Sequence, residues 1–213
     1  SMGYRSLPQD DTPEYYFFIL ILTASMMLAV GSNNLMMIYI ALESISIISY
    51  IMAGFLKRDM FCTEAGMKYF LFGALSTGIT LYGVSLIYGL FGTLDLPSIV
   101  SILGGGVNVM ALTLALVLVF VGFAFKCSLV PFHMWTPDVY QGAPTPVAAF
   151  LSVGPKAVGF AFLLRIFVEN FHGAFPGWTH LAGGIALATM TVGNLGALKQ
   201  DNMKRLLAYS TIA

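Results

Sequence analysis

The chain is 213 residues long, and 58% of these residues are hydrophobic whereas only 9% are charged. A soluble domain carries about 25% charged residues, so this composition excludes an ordinary soluble globular protein and is typical of a membrane protein. The formal net charge is +0, which gives no electrostatic footprint for binding nucleic acid.

The apolar runs predict an all-α polytopic membrane protein with about six transmembrane helices and the start of a seventh, since a bilayer-crossing helix needs about 20 mostly apolar residues. The first three spans are predicted at residues 15–30, 35–56 and 64–91. A tight polar turn at 31–34 separates the first two spans. We expect Glu64 and Lys68 to pair in the first turn of the third span, which leads into a more polar link at 92–108.

The fourth apolar run, at residues 109–142, is too long for one continuous crossing. Pro131 has no N–H group to donate to the carbonyl of Cys127, so the helix should kink or break there. We therefore predict a discontinuous helix that is interrupted between Lys126 and His133.

A fifth span is predicted at 147–168 and a sixth at 178–198, and an ion pair is expected between Arg165 and Glu169. A new apolar run begins after the basic loop at 199–205. We therefore expect the chain to be a fragment of a larger membrane protein.

Loop charges predict the orientation of these spans. The basic residues of the loops fall on one side: Arg5, Lys57, Arg58, Lys199, Lys204 and Arg205. The opposite side holds Asp95 and His172. By the positive-inside rule, the basic side is predicted to be cytoplasmic.

Three ionisable residues lie inside predicted spans: Glu43, Lys126 and Lys156. A charge at such depth costs about 2.5–3.5 kcal/mol on insertion scales and by default marks a functional site. Lys126 precedes the predicted break, and Lys156 directly follows Pro155 near mid-depth. This pattern favours proton or cation transport. For Glu43, the alternative is a structural ion pair between helices. For Lys126, the alternative is a flexible side chain that extends its ammonium group to the membrane surface.

The chain offers few other candidate functional residues. His133 is a candidate proton relay, although His133 and Asp138 could instead bond the backbone of the broken helix. Cys62 and Cys127 give neither a disulfide framework nor a metal-ligand spacing. No glycine-rich nucleotide motif, CxxC or haem-type histidine pair is present. We expect no metal site, no cofactor site and no catalytic redox centre in this chain.

The stretch FKCSLVPFHMWTPDVYQGAPTPVAAFLS resembles the antiporter-like membrane subunits of respiratory complex I, the proton-translocating NADH:quinone oxidoreductase (NDH-1), and most of all the N-type subunit. The stretches ALESISIISYIMAGFLKRD, EAGMKYFLFGALSTGITLYGVSLIYG and NMKRLLAYSTIA extend the resemblance over nearly the whole chain. It implies that residues 1–213 are a fragment of one antiporter-like transmembrane domain. The fragment would supply most of the first of two inverted bundles and the opening of the second.

The resemblance also implies roles for the buried charges. Glu43 would pair with Lys126, and Lys156 would pass protons toward the centre of the membrane, driven by quinone reduction elsewhere in the complex. Other membrane subunits, the lipid bilayer and protons would be the partners, while flavin, iron–sulfur clusters and quinone would belong to other subunits. The implied location is the bacterial inner (plasma) membrane, or an organelle inner or thylakoid membrane if the source is eukaryotic.

Three other interpretations stay open at the level of sequence. Cation/proton (Mrp-type) antiporters and membrane-bound hydrogenases share the family fold, but usually carry a histidine-containing helix where AAFLSVGPKAVGFAFLLRIF has none. A separate Na⁺ transporter is disfavoured because few carboxylates are available to coordinate the ion. In a purely structural subunit, the buried charges would only lock helices together.

Overall fold

The computed structural model describes residues 12–171 and 177–213, and its regular structure is helical, which confirms the predicted all-α fold. In chain order the helices are α1 (Thr12–Gly31), α2 (Leu35–Ala53), α3 (Met60–Phe91), α4 (Leu96–Ile102), α5 (Val109–Lys126), α6 (Trp135–Gly142), α7 (Thr145–Leu163), α8 (Trp178–Ala197) and α9 (Met203–Ile212). A 3₁₀ turn at Leu103–Gly105 follows α4, and a π-helical segment at Leu164–Asn170 continues α7.

Five helical segments of the described chain are long and apolar enough to cross a membrane: α1, α2, α3, α5, and α7 together with its π-helical continuation. These segments correspond to the first five predicted spans. The sixth predicted span forms α8, a helix of 20 residues that includes the polar residues His180 and Asn194. α8 is long enough to cross a bilayer, but it is less apolar than the five segments above.

Short polar side chains set where several helices begin. Asn34, Asp59, Asp95, Asn108 and Asn202 each accept hydrogen bonds from backbone N–H groups in the first turn of the helix that follows. Such caps satisfy donors that have no partner within the helix. The cap at Asp59 starts α3 ahead of the predicted position, and the cap at Asp95 turns part of the predicted polar link into helix α4.

Glycines allow close contact between neighbouring helices around α3. A Cβ atom added to Gly83 would lie 2.8 Å from the backbone nitrogen of Val119 in α5. A Cβ atom added to Gly66 would lie 2.8 Å from the Cα atom of Gly54, just after α2. Small residues are typical of helix–helix interfaces in membranes because they let backbones approach. α3 therefore holds both α2 and α5, the two helices that carry Glu43 and Lys126.

Pro155 lies inside α7 and does not end the fifth predicted span. That span differs from expectation at Arg165. Arg165 donates hydrogen bonds to the carbonyls of Val30 at 3.0 Å and Ser32 at 2.8 Å, and also to the side chain of Asn33. The predicted ion pair with Glu169 is therefore wrong. The physical reason is that the C-terminal end of α1 offers carbonyl groups without intrahelical partners, and these attract a cation.

The orientation predicted from loop charges stays a prediction, and two of its residues, Arg5 and His172, lie outside the described residues.

The predicted pair of Glu64 and Lys68 is confirmed, with 2.8 Å between the ammonium and the carboxylate.

Candidate functional site

The predicted interruption between Lys126 and His133 is confirmed, because α5 ends at Lys126 and α6 begins at Trp135. The end of α5 has the hydrogen bonds of a Schellman motif. The N–H of Ser128 bonds the carbonyl of Phe125 at 3.1 Å, and the N–H of Leu129 bonds that of Ala124 at 2.8 Å. Ser128 takes the left-handed conformation, with φ of 58°. The helix therefore ends before Pro131, and the cap at Ser128, rather than the missing proline N–H, ends it.

Side chains then satisfy the backbone and hydroxyl groups around the break. Trp135 donates its indole N–H to the carbonyl of Phe125 at 3.2 Å. Thr136 donates to the hydroxyl of Ser128 at 2.8 Å, and the N–H of Val130 bonds the hydroxyl of Thr189 in α8 at 3.1 Å. Non-helical backbone at membrane depth is tolerated only where protein or water satisfies it. Sequence reasoning missed the roles of Ser128, Thr136 and Thr189, although hydroxyl residues beside a broken apolar helix were a usable signal.

Glu43 and Lys126 line one small cavity between α2, α3 and α5, with a volume of about 30 Å³. Polar groups of α2 and α3 complete its lining: Tyr39, Ser46, Ser76, Thr77 and Thr80. A site that holds one water needs about 10–15 Å³ and two or more polar partners, so this cavity has room for a bridging water. We call it the inner cavity.

The two charged side chains differ in their contacts at the inner cavity. Lys126 is only 5% exposed, and its ammonium nitrogen is buried without a hydrogen-bond partner. Glu43 is half-buried and accepts a hydrogen bond of 2.9 Å from Thr77 on α3. Both residues lie in the described chain, and no direct ion pair joins them. The cavity between them has room for a contact through one water.

Lys156 lies on α7, which packs directly against the end of α5. A Cβ atom added to Gly159 would lie 2.7 Å from the sulfur of Cys127 and 3.3 Å from the Cβ atom of Lys126. Lys156 is 6% exposed, and its ammonium donates to the carbonyl of Thr211 in α9 at 2.9 Å. The two lysine-bearing helices are therefore in contact, while the Lys156 head group is directed to α9. A proton path from Lys126 to Lys156 stays a prediction.

His133 lies within the break between α5 and α6. It is half-buried, and its Nδ1 atom has no hydrogen-bond partner among the described residues. A neutral imidazole with one unused nitrogen can accept a proton. Its role as a relay stays a prediction.

Asp138, in the first turn of α6, joins three helices. One carboxylate oxygen accepts from Lys68 of α3 at 2.7 Å, and the other accepts from Arg205 of α9 at 2.6 Å. Lys68 also pairs with Glu64, and Arg205 bonds the side chain of Gln141 at 2.9 Å. Asp138 thus binds cations rather than the backbone of the broken helix. This network ties the second half of that helix to α3 and α9.

No group of three or more His, Cys, Asp or Glu side chains within residues 12–171 and 177–213 could hold a metal ion. Cys62 and Cys127 are both buried. No described residue is therefore assigned to a metal.

Comparison with known proteins shows a consistent set of relatives. A family model described as "NADH:quinone oxidoreductase/Mrp antiporter, TM" matches residues 32–213. NADH-quinone oxidoreductase subunit N of Trichlorobacter lovleyi is 51% identical over 185 residues, which are 85% of this chain and 38% of that protein. Subunit N 1 of Solibacter usitatus is 47% identical over 213 residues, which are 99% of this chain and 44% of that protein.

Solved structures show the same relationship. A chain of respiratory complex I from Thermus thermophilus with bound aureothin superposes with a TM-score of 0.81 at 40% identity, covering 94% of this chain and 43% of that one. A chain of an archaeal membrane-bound sulfane sulfur reductase superposes with a TM-score of 0.87 at 27% identity, covering 100% of this chain and 43% of that one. The present chain therefore spans less than half the length of these relatives.

Proposed function

Because the chain belongs to the NADH:quinone oxidoreductase/Mrp antiporter transmembrane family, we propose that it is part of a proton-translocating N-type membrane subunit of an NADH:quinone oxidoreductase. Glu43, Lys126 and Lys156 carry the protons in this proposal. Quinone reduction in other subunits drives the transfer, and flavin, iron–sulfur clusters and quinone reside there. Other membrane subunits are the partners.

The observation that supports this function most directly is the unpartnered ammonium of Lys126 on a cavity that it shares with Glu43. A buried cation without a hydrogen bond is unfavourable, and the free energy of its charged state depends strongly on any nearby opposite charge. At an effective dielectric constant of about 20, moving two unit charges from about 4 Å to about 8 Å apart removes roughly 2 kcal/mol of attraction. That change shifts the proton occupancy of the lysine by about 30-fold.

The packing of α5 on α7 supplies the next step of the proposal. When the Glu43 carboxylate moves away, Lys126 releases its proton toward Lys156, whose helix contacts the end of α5 at Gly159. Lys156 in turn faces α9 through its bond to Thr211. His133, with its unused ring nitrogen, is the candidate intermediate relay.

The test is alanine replacement of each lysine in the full-length subunit, assembled in its complex. We expect Lys126→Ala and Lys156→Ala to lower proton translocation at least tenfold while the assembled complex remains intact. The control is Lys199→Ala, which removes an exposed lysine and should leave translocation unchanged. Lys156→Arg should be less impaired than Lys156→Ala, because arginine keeps the charge. It should still be impaired, because arginine hardly releases its proton.

Two outcomes would contradict the proposal in different ways. Normal translocation by well-assembled Lys126→Ala and Lys156→Ala complexes would remove these residues from the proton path. Loss of assembly in step with loss of translocation would support the alternative in which the buried charges only hold helices together.

A further inference from the structure

A second and larger cavity lies along the same α2–α3 interface as the inner cavity. It is a groove of about 820 Å³ between the start of α1, the end of α2 and the start of α3. It is lined by Lys57 and Arg58, two exposed residues of the loop between α2 and α3. We call it the outer groove. It therefore opens at the basic end of the helices, whereas the inner cavity lies deeper between them.

Tyr50 lies between these two spaces. Glu43, Ser46 and Tyr50 follow one another on α2 at intervals of three and four residues, which places them on one face of the helix. Glu43 and Ser46 line the inner cavity, and Tyr50 lines the outer groove. The polar stripe on α2 thus runs from one space to the other, and Tyr50 is its last member before the groove.

The hydroxyl of Tyr50 points at α3, at the level between the two spaces. A Cβ atom added to Gly73 would collide with this hydroxyl. Gly73 lies one helical turn from Ser76 and Thr77, which line the inner cavity. Tyr50 is 8% exposed, and its hydroxyl oxygen is buried without a hydrogen-bond partner. The hydroxyl therefore faces α3 about one helical turn from residues that line the inner cavity, and a buried polar group without a partner is unusual.

We propose that Tyr50 is the gate through which the Glu43–Lys126 cavity exchanges water and protons with the outer groove. In the closed position its ring packs edge-to-face on Tyr69, with ring centroids 4.7 Å apart, and separates the two spaces. Rotation of the side chain toward the groove joins them and gives the hydroxyl a water partner. The inference rests on the proposed function, since it assigns the entry route for the protons that Lys126 receives.

The first test measures access to the inner cavity in the full-length, assembled subunit. Ser46→Cys places a thiol in the lining of the inner cavity, and a membrane-impermeant methanethiosulfonate reagent is added from either side. We expect Tyr50→Ala to raise the labelling rate of this thiol at least tenfold when the reagent is added from the side of the loop between α2 and α3. Ser49→Cys is the matched control, because Ser49 is fully buried on the same helix and lines neither space. Labelling of the thiol in Ser49→Cys should stay slow whether position 50 carries tyrosine or alanine.

An unchanged labelling rate in Tyr50→Ala, or faster labelling from the opposite side only, would overturn the gate. If Tyr50→Ala does not assemble, Tyr50→Phe provides the second test, because it keeps the ring and removes only the hydroxyl. We expect Tyr50→Phe to lower the number of protons translocated per electron at least threefold. Tyr140→Phe is its control, since the Tyr140 hydroxyl is also buried without a partner but lines neither space.

Equal translocation by Tyr50→Phe and Tyr140→Phe would overturn the role of the hydroxyl. The labelling measurement does not depend on proton transfer by the lysines. Labelling that responds to Tyr50 together with normal translocation in Lys126→Ala would refute the proposed relay and leave the gate standing. Labelling that does not respond to Tyr50, together with lowered translocation in Lys126→Ala, would refute the gate and leave the relay standing.

Discussion

Removing the carboxylate of Asp138 should loosen the second half of the broken helix, because this group bonds α6 to both α3 and α9. Asp138→Ala deletes the ion pairs with Lys68 at 2.7 Å and with Arg205 at 2.6 Å. Neither cation is then left alone. Lys68 keeps Glu64 at 2.8 Å, and Arg205 keeps Gln141 at 2.9 Å.

The magnitude follows from the exposure of this network. The side chains of Asp138, Lys68 and Arg205 are 32%, 39% and 31% exposed. Charge pairs that water reaches contribute about 0.2–1 kcal/mol each, far below the roughly 3–5 kcal/mol of breaking a fully buried pair. Because both ion pairs of Asp138 disappear while its former partners stay bonded elsewhere, Asp138→Ala should lower the free energy of unfolding by about 0.4–2 kcal/mol.

The assay is denaturant unfolding of the full-length subunit in detergent, with a double-mutant cycle of Lys68→Ala and Asp138→Ala. We expect a coupling free energy of about 0.5–1 kcal/mol that shrinks as salt is raised toward about 1 M. Glu64→Ala is the control, since it leaves both partners of Asp138 in place. A coupling indistinguishable from zero at low salt would refute the view that this network holds α6.

Two further predictions concern helix packing and helix ends. Gly83→Ala should lower the free energy of unfolding by about 1–3 kcal/mol, because its methyl group would press on the backbone of Val119. Gly89→Ala on the same helix meets open space and should be neutral or slightly stabilising; equal losses would contradict close α3–α5 packing. Arg165→Gln should cost about 1–2 kcal/mol by removing its bonds to the end of α1. Glu169→Gln should have no measurable effect on the same unfolding measurement, and equal losses would restore the ion pair between these residues.

The arrangement of helices could be predicted well because the bilayer limits the options. Apolar runs of sufficient length must be helical there, since every backbone polar group needs an internal partner. The break near Pro131 was also predictable, because one uninterrupted crossing could not contain so long a run. Its mechanism was not, since the Schellman cap at Ser128 depends on a left-handed residue that only glycine usually signals.

The partners of polar side chains were predicted less well. Local spacing suggested Arg165 with Glu169, whereas Arg165 instead bonds the end of α1. Asp138 had no evident cation in the sequence, because its partners Lys68 and Arg205 lie 70 and 67 residues away. Interactions at such separations depend on how the helices pack, which residue periodicity does not specify.

Composition and pattern by themselves determined that this protein is a helical membrane protein with three charges inside its apolar spans and one broken helix. These conclusions follow from the cost of placing polar groups in hydrocarbon, which acts on each segment alone. Only the tertiary structure decided that Glu43 and Lys126 share a cavity, that Gly159 brings α7 onto the end of α5, and that Tyr50 lines a groove at the same α2–α3 interface. Those relations depend on which faces of different helices meet, and close packing between helices sets that choice.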